Sequence, residues 1–190
     1  MARGKLVVIE GLDKKALAAL SKSFALWLMA EDCPGGSSSV ECIFPLDGPK
    51  GTLLKYLDGR SYVASNIVAR EFAFHLRISS RRIEGLLAQG THVVLGGYTG
   101  LVKAYLGIMK GVTATTILEF DVNLVRPDLV VVVHKQDPAG HGPRYGHRLD
   151  ELDSMLRDLA VVSTPTWIEV SDDLEQLKEA WRCSDLCVYT

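Results

Sequence analysis

The sequence predicts an α/β fold of three layers: a mostly parallel five-stranded sheet with helices on both faces. Three observations carry this. Apolar, β-rich runs alternate with helix-patterned stretches along the chain. One run, Leu129-Val130-Val131-Val132-Val133, holds four consecutive valines, which suits a parallel strand covered on both faces. The 190 residues, 47% hydrophobic and 23% charged, are enough for one domain with one core, but not for two.

The elements follow in order. Residues 5–10 (KLVVIE) read as a short buried strand. Residues 14–29 place Leu17, Leu20, Phe24 and Leu28 on one helical face. A Pro/Gly/Ser turn over 32–39 leads to a second strand, 40–44, stopped by Pro45. Residues 53–57 predict a short helix and 63–88 a long or broken one, punctuated by Gly90. Residues 91–95 are the third strand, ended by Gly96-Gly97, and 101–109 read as a helix. The valine strand spans 128–134. Residues 137–146 are Gly/Pro/His-rich and loop-like, and 149–159 form an amphipathic helix. The last strand is 166–170. Ser171 is the predicted cap of a final helix over 172–181, which carries acidic residues in its first turn.

A net charge of −2 argues against non-specific nucleic-acid binding, so no nucleic-acid partner is expected. No apolar run approaches the ~18 residues of a membrane span, and residues 1–5 lack a signal-peptide layout. The four cysteines (33, 42, 183, 187) form no CxxC pair, which fits a reduced, cytoplasmic protein. His141 and His147 flank Arg144, but no further ligands accompany them, so no metal site is expected. No internal repeat is present.

In open parallel sheets, ligands bind outside the carboxyl ends of the strands. The first strand ends in Glu10-Gly11-Leu12-Asp13-Lys14-Lys15-Ala16-Leu17-Ala18. Here the chain resembles the thymidylate kinases, within the P-loop nucleoside monophosphate kinases, whose opening reads roughly G-x-D-x-x-G-K-S/T-T. The match over 5–13 (KLVVIEGLD) is close. Further motifs follow in family order: Phe44-Pro45; Gln89-Gly90 before Val93-Val94-Leu95; Tyr98 with Ala104-Tyr105-Leu106-Gly107; Arg126-Pro127-Asp128-Leu129; and Arg144-Tyr145. The resemblance covers the chain to about Trp181. It implies a single P-loop kinase-like domain over 1–190 with a short lid at about 137–150, and a homodimer through helices on one face of the sheet. The segments 63–88 and 101–109 are the candidates for that interface.

The residues that would do the chemistry depart from the pattern. A Walker A loop needs glycines to wrap phosphate with backbone N–H groups, a lysine on the transferring phosphates and a hydroxyl on Mg²⁺. The matching positions are Ala16, Leu17 and Ala18, and neither a leucine nor an alanine side chain can do this work. Asp47 stands near the family's phosphate-gripping arginine, and Gly96-Gly97 replace its Asp-Arg. Leu101, Leu106 and Gly146 replace its serine, glutamine and lid glutamate. Losing one such electrostatic contact costs about a hundred- to a thousand-fold in rate, and losses that act together do not simply multiply.

What the resemblance carries over is thinner. Lys14, Lys15 and Arg144 are the weak catalytic candidates, and the lysines also read as solvated first-turn residues. Asp13, Phe44, Phe72, Arg77, Tyr98 and Tyr105 are the nucleotide-binding candidates. Asp13 reads equally as a helix cap, Phe72 (with Phe74) and the tyrosines as packing, and Arg77 (with Arg81 and Arg82) as a solvated helix face. Three functions compete. The favoured one is a catalytically impaired relative, a pseudoenzyme retaining a dTMP-like nucleotide pocket or only the scaffold. The second is an active dTMP kinase using ATP, Mg²⁺ and the displaced basic residues. The third is an interaction module whose old pocket is filled by Leu95, Leu101, Leu106, Ile108 and Met109.

Overall fold

The structure is a computed structural model. It describes residues 3–12, 14–31, 39–44, 65–104, 106–107, 112–118, 122–134, 151, 153–156, 158, 167–171 and 173–183. The expected short helix at 53–57 and the lid-like segment 137–150 lie outside these residues.

Five strands form one sheet: β1 (Leu6–Gly11), β2 (Val40–Ile43), β3 (His92–Gly96), β4 (Leu129–His134) and β5 (Trp167–Ser171). Their spatial order is β2-β3-β1-β4-β5, and every adjacent pair is parallel. The helices are α1 (Lys14–Glu31), α2 (Ser65–Ala88), α3 (Gly100–Ala104), α4 (Ala114–Leu118) and α5 (Leu174–Cys183). Residues 151, 153–156 and 158 are also helical. Among the described residues, no helix is long and apolar enough to cross a membrane.

The pleat explains why β1 and β4 are apolar throughout. Leu6 and Val8 of β1, with Val130 and Val132 of β4, face one core, packed by Phe72, Leu76 and Ile83 of α2. Val7 and Ile9, with Leu129, Val131 and Val133, face the opposite core, packed by Leu17, Leu20 and Phe24 of α1 and Trp181 of α5. A strand covered on both sides has no polar face to offer. At the amino end of the sheet, Asp128 accepts a hydrogen bond from the Leu6 amide at 2.7 Å and one from Arg3 at 3.2 Å, locking β4 to β1.

Several boundaries differ from expectation. The 101–109 helix begins at Gly100 and ends as an α-helix at Ala104; Leu106 and Gly107 continue in a wider π-type turn. The short α4 was not legible in the sequence; Thr113 starts it, its carbonyl accepting from the Ile117 amide at 3.1 Å. Ser171 is not the cap of the last helix. It pairs with His134, so β5 ends one residue later than expected, and Asp173 caps instead, its Oδ1 accepting from the Glu175 amide at 2.9 Å.

Candidate functional site

The strand order reverses beside β1. The chain runs from β1 to β2 on one side and from β3 to β4 on the other, so the crevice between the carboxyl ends of β1 and β3 is the switch point where such sheets take ligands. Gly11 ends β1, and Gly96-Gly97 leave β3. The Gly97 amide donates to the Ile9 carbonyl at 2.8 Å, and Gly97 has φ +79°, a left-handed turn suited to glycine.

The α1 side of this crevice is filled with apolar side chains. Leu17 is 6% exposed. A methyl group built on Gly97 would stand 3.7 Å from Leu17 Cδ2, and one built on Gly11 would stand 4.0 Å from Leu17 Cδ1. Leu17 therefore reaches across from α1 and lies between the two turns. Phe44, just past β2, covers Gly96 so closely that a Cβ there would fall 2.1 Å from Phe44 Cε1. The Ser21 hydroxyl lies beside this contact, 3.1 Å from the same Cβ position, and is buried with no hydrogen-bond partner among the described residues. The Lys22 ammonium stands 5.9 Å from the Phe44 ring centroid. On the same strand, burial pushes the Cys42 thiol above its ordinary range, and the Lys22 charge partly offsets this.

The other side carries buried polar groups. Glu10 is buried, and its Oε1 accepts from the Tyr98 amide at 3.0 Å and the Gly100 amide at 2.8 Å. It ties the exit of β3 to the start of α3. Lys103 of α3 is buried as well.

The predicted site residues scatter around this crevice. Lys15 is exposed. Phe72 and Tyr98 are buried within the α2-side core, and the Tyr98 hydroxyl reaches the Val125 carbonyl at 3.4 Å. Their rings serve as packing in this conformation, because the core closes over them. Arg77 is exposed, with its Nε 3.4 Å from the Val122 carbonyl. Leu95 and Leu106 are fully buried in the same core. Asp13, Tyr105, Arg144, Ile108, Met109 and the side chains of Lys14 and Leu101 lie outside the described residues. Sequence reasoning missed Glu10, Ser21 and Lys103. Glu10 had a signal: it is the one charged residue within the buried run 6–11.

No family model matches the chain. The thymidylate kinase of Xylella fastidiosa (strain M12) is 29% identical over 189 residues, covering 96% of this chain and 76% of that one. The thymidylate kinase of Homo sapiens is 28% identical over 154 residues, covering 76% of this chain and 68% of that one. The chain is thymidylate-kinase-like. The crystal structure of the thymidylate kinase from Ehrlichia chaffeensis shares its fold, with a TM-score of 0.63 at 19% identity over 90% of this chain and 88% of the other. In this thymidylate-kinase-like chain, Leu17 of the first turn of α1 is a core residue.

Proposed function

We infer that this chain is a thymidylate-kinase-like pseudoenzyme, in which phosphoryl transfer is lost or very weak. One observation carries the reading: Leu17, at the position of the Walker lysine, is buried between Gly11 and Gly97 rather than presenting a cation to the crevice. Transfer of a phosphoryl group rests almost entirely on positioned charge. A leucine offers none, and Ala18 offers no hydroxyl to a metal. Phe44 over Gly96 adds to this support, because its ring leaves no room for a side chain at the position where the resemblance expects the aspartate.

ATP and Mg²⁺ belong to this chain only if it proves to be an active kinase using Lys14, Lys15 and Arg144. A retained dTMP pocket would draw its contacts from Asp13, Phe44, Arg77 and Tyr105; Phe72 and Tyr98 are buried in the α2-side core. The same resemblance supports a single domain with a lid over residues 137–150, a cytoplasmic location and a homodimer.

Calorimetric titration with dTMP, and separately with ATP plus Mg²⁺, tests the reading when followed by an assay for ADP. Binding of dTMP without turnover is the result expected if the base-side pocket survives, and absence of binding at about millimolar ligand is the result expected if only the scaffold remains. Turnover dependent on dTMP at an ordinary enzymatic rate, on the order of 1 s⁻¹, overturns the reading.

A further inference from the structure

At the amino end of the sheet, a side chain stands in for a backbone carbonyl. His92 opens β3, and Lys5 leads into β1 beside it. The Lys5 carbonyl accepts from the Val93 amide at 2.9 Å, as a parallel ladder requires. The Lys5 amide donates to the imidazole Nδ1 of His92 at 3.2 Å. A carbonyl can accept at any pH, but an imidazole nitrogen accepts only while it carries no proton. This bond therefore fixes the ring as the neutral form with its proton on Nε2.

The ring is half-buried and stands edge-to-face with Trp181 of α5, their centroids 6.3 Å apart and their planes at 89°. Trp181 is 1% exposed and packs in turn on Phe24 of α1. The charges around this cluster do not favour a second proton on the ring. By the alternation of the strands, Lys5 shares the face of Val7, and His92 that of Val94, so both lie on the α1 side. On α5, Lys178 and Arg182 stand over the Trp27 ring, 5.8 and 5.2 Å from its centroid. The carboxylates nearby are engaged: Asp128 holds Arg3 and the Leu6 amide, Glu41 of β2 holds Arg82, and Glu175 of α5 holds Lys178. Glu179 is exposed and, two residues from Trp181, is on another face of α5. A charged ring could keep its contact with Trp181, but not its bond to Lys5, because a protonated Nδ1 sets N–H against N–H. The bond decides the direction.

We propose that His92 is a pH-sensitive latch: its neutral imidazole closes the entry of β1 onto β3, and a proton on Nδ1 opens it. The folded chain takes up that proton less readily than the unfolded chain, where no amide competes for Nδ1. The latch therefore contributes its full stability at about pH 8 and loses it as the pH falls towards about 5. It acts on β1, the central strand, whose other end is the Gly11 turn of the crevice.

Two measurements on the full chain test this. Long-range ¹H–¹⁵N correlation spectra of the histidine rings, assigned with single His→Asn variants, are expected to show Nδ1 of His92 bare and Nε2 protonated at about pH 8. A His92 ring with its proton on Nδ1 overturns the proposal. Should His92→Asn fail to fold, the variants of the other four histidines assign the ring by exclusion. Thermal melts at about pH 8 and pH 5 then compare the wild type with His92→Asn, whose side-chain oxygen accepts hydrogen bonds and does not titrate. The other four histidines are common to both proteins, so their titration cancels in the comparison. Relative to the variant, the wild type is expected to lose about 2–4 °C in Tm on acidification, the effect of one hydrogen bond in a domain of this size. A difference that stays constant, or that grows in favour of the wild type, overturns the proposal.

Discussion

Gly96→Ala adds one methyl group at the most crowded point of the crevice. The added Cβ would lie 2.1 Å from Phe44 Cε1, 2.6 Å from Phe44 Cδ1 and 3.1 Å from Ser21 Oγ. Ordinary carbon contact begins near 3.5 Å, so the ring must retreat by about 1.4 Å or leave its seat. The backbone itself raises no objection, because Gly96 is not among the glycines with positive φ. On an accommodating backbone, Gly→Ala stabilises by about 0.4–1 kcal/mol through the unfolded chain. Overpacking costs about 1–3 kcal/mol. The steric term wins, for a net loss of about 1–2 kcal/mol. In a domain of this size that lowers Tm by about 2–8 °C. In a Phe44→Ala background the ring is gone and only the Ser21 hydroxyl at 3.1 Å remains close, so the same substitution is expected to be near neutral. Thermal melts of the four proteins give the coupling directly. An equal cost of Gly96→Ala in both backgrounds would refute the reasoning, since it would mean that the ring does not occupy the space above Gly96.

Other consequences follow from the same geometry. Gly97→Ala has space, with Leu17 Cδ2 3.7 Å away, but must hold φ +79°; it is expected to cost about 1–2 kcal/mol in a melt, with Gly97→Asn milder because asparagine tolerates the left-handed region. Glu10→Ala strips the acceptor from the Tyr98 and Gly100 amides, and is expected to cost about 2–4 kcal/mol, seen as a fall of about 1 M in the urea midpoint. In a chain with the other three cysteines replaced by serine, Cys42 is expected to alkylate more slowly at pH 8 when folded than in urea. Its native thiol pKa is raised by burial, so less thiolate is present until the pH passes that raised value. Equal rates in the two states would contradict that assignment.

Much of the fold was legible because the strands are buried on both faces. Residues 6–9 and 129–133 are unbroken apolar runs, and no other local structure suits them at that length. The 63–88 stretch read as one long or broken helix, and α2 runs from Ser65 to Ala88 with Phe72, Leu76, Ile83 and Leu87 on its core face. The short α4, Ala-Thr-Thr-Ile-Leu, was not, because five residues are too few to show a helical period. The end of β5 was missed by one residue because a strand's length is set by its neighbour: Ser171 pairs with His134, and nothing near Ser171 in sequence reveals that. The site divides in the same way. That the first turn carries Leu17, and not a lysine, at the position the resemblance singles out could be read from identity alone. That Leu17 rests against Gly97, and Phe44 on Gly96, could not, since these contacts join residues far apart in the chain. Glu10 was overlooked for a related reason: the amides of Tyr98 and Gly100, from which it accepts, carry no sequence signal, because every residue but proline has one.

The most direct test of the central claim is ADP formation by the purified chain with ATP, Mg²⁺ and dTMP together, read against the same mixture without dTMP. With Leu17 buried where a phosphate-binding cation is required, the expected result is no dTMP-dependent ADP above the protein-free blank. A saturable, dTMP-dependent rate on the order of 1 s⁻¹, within the ordinary range for enzymes, would contradict it and return the chemistry to Lys14, Lys15 and Arg144.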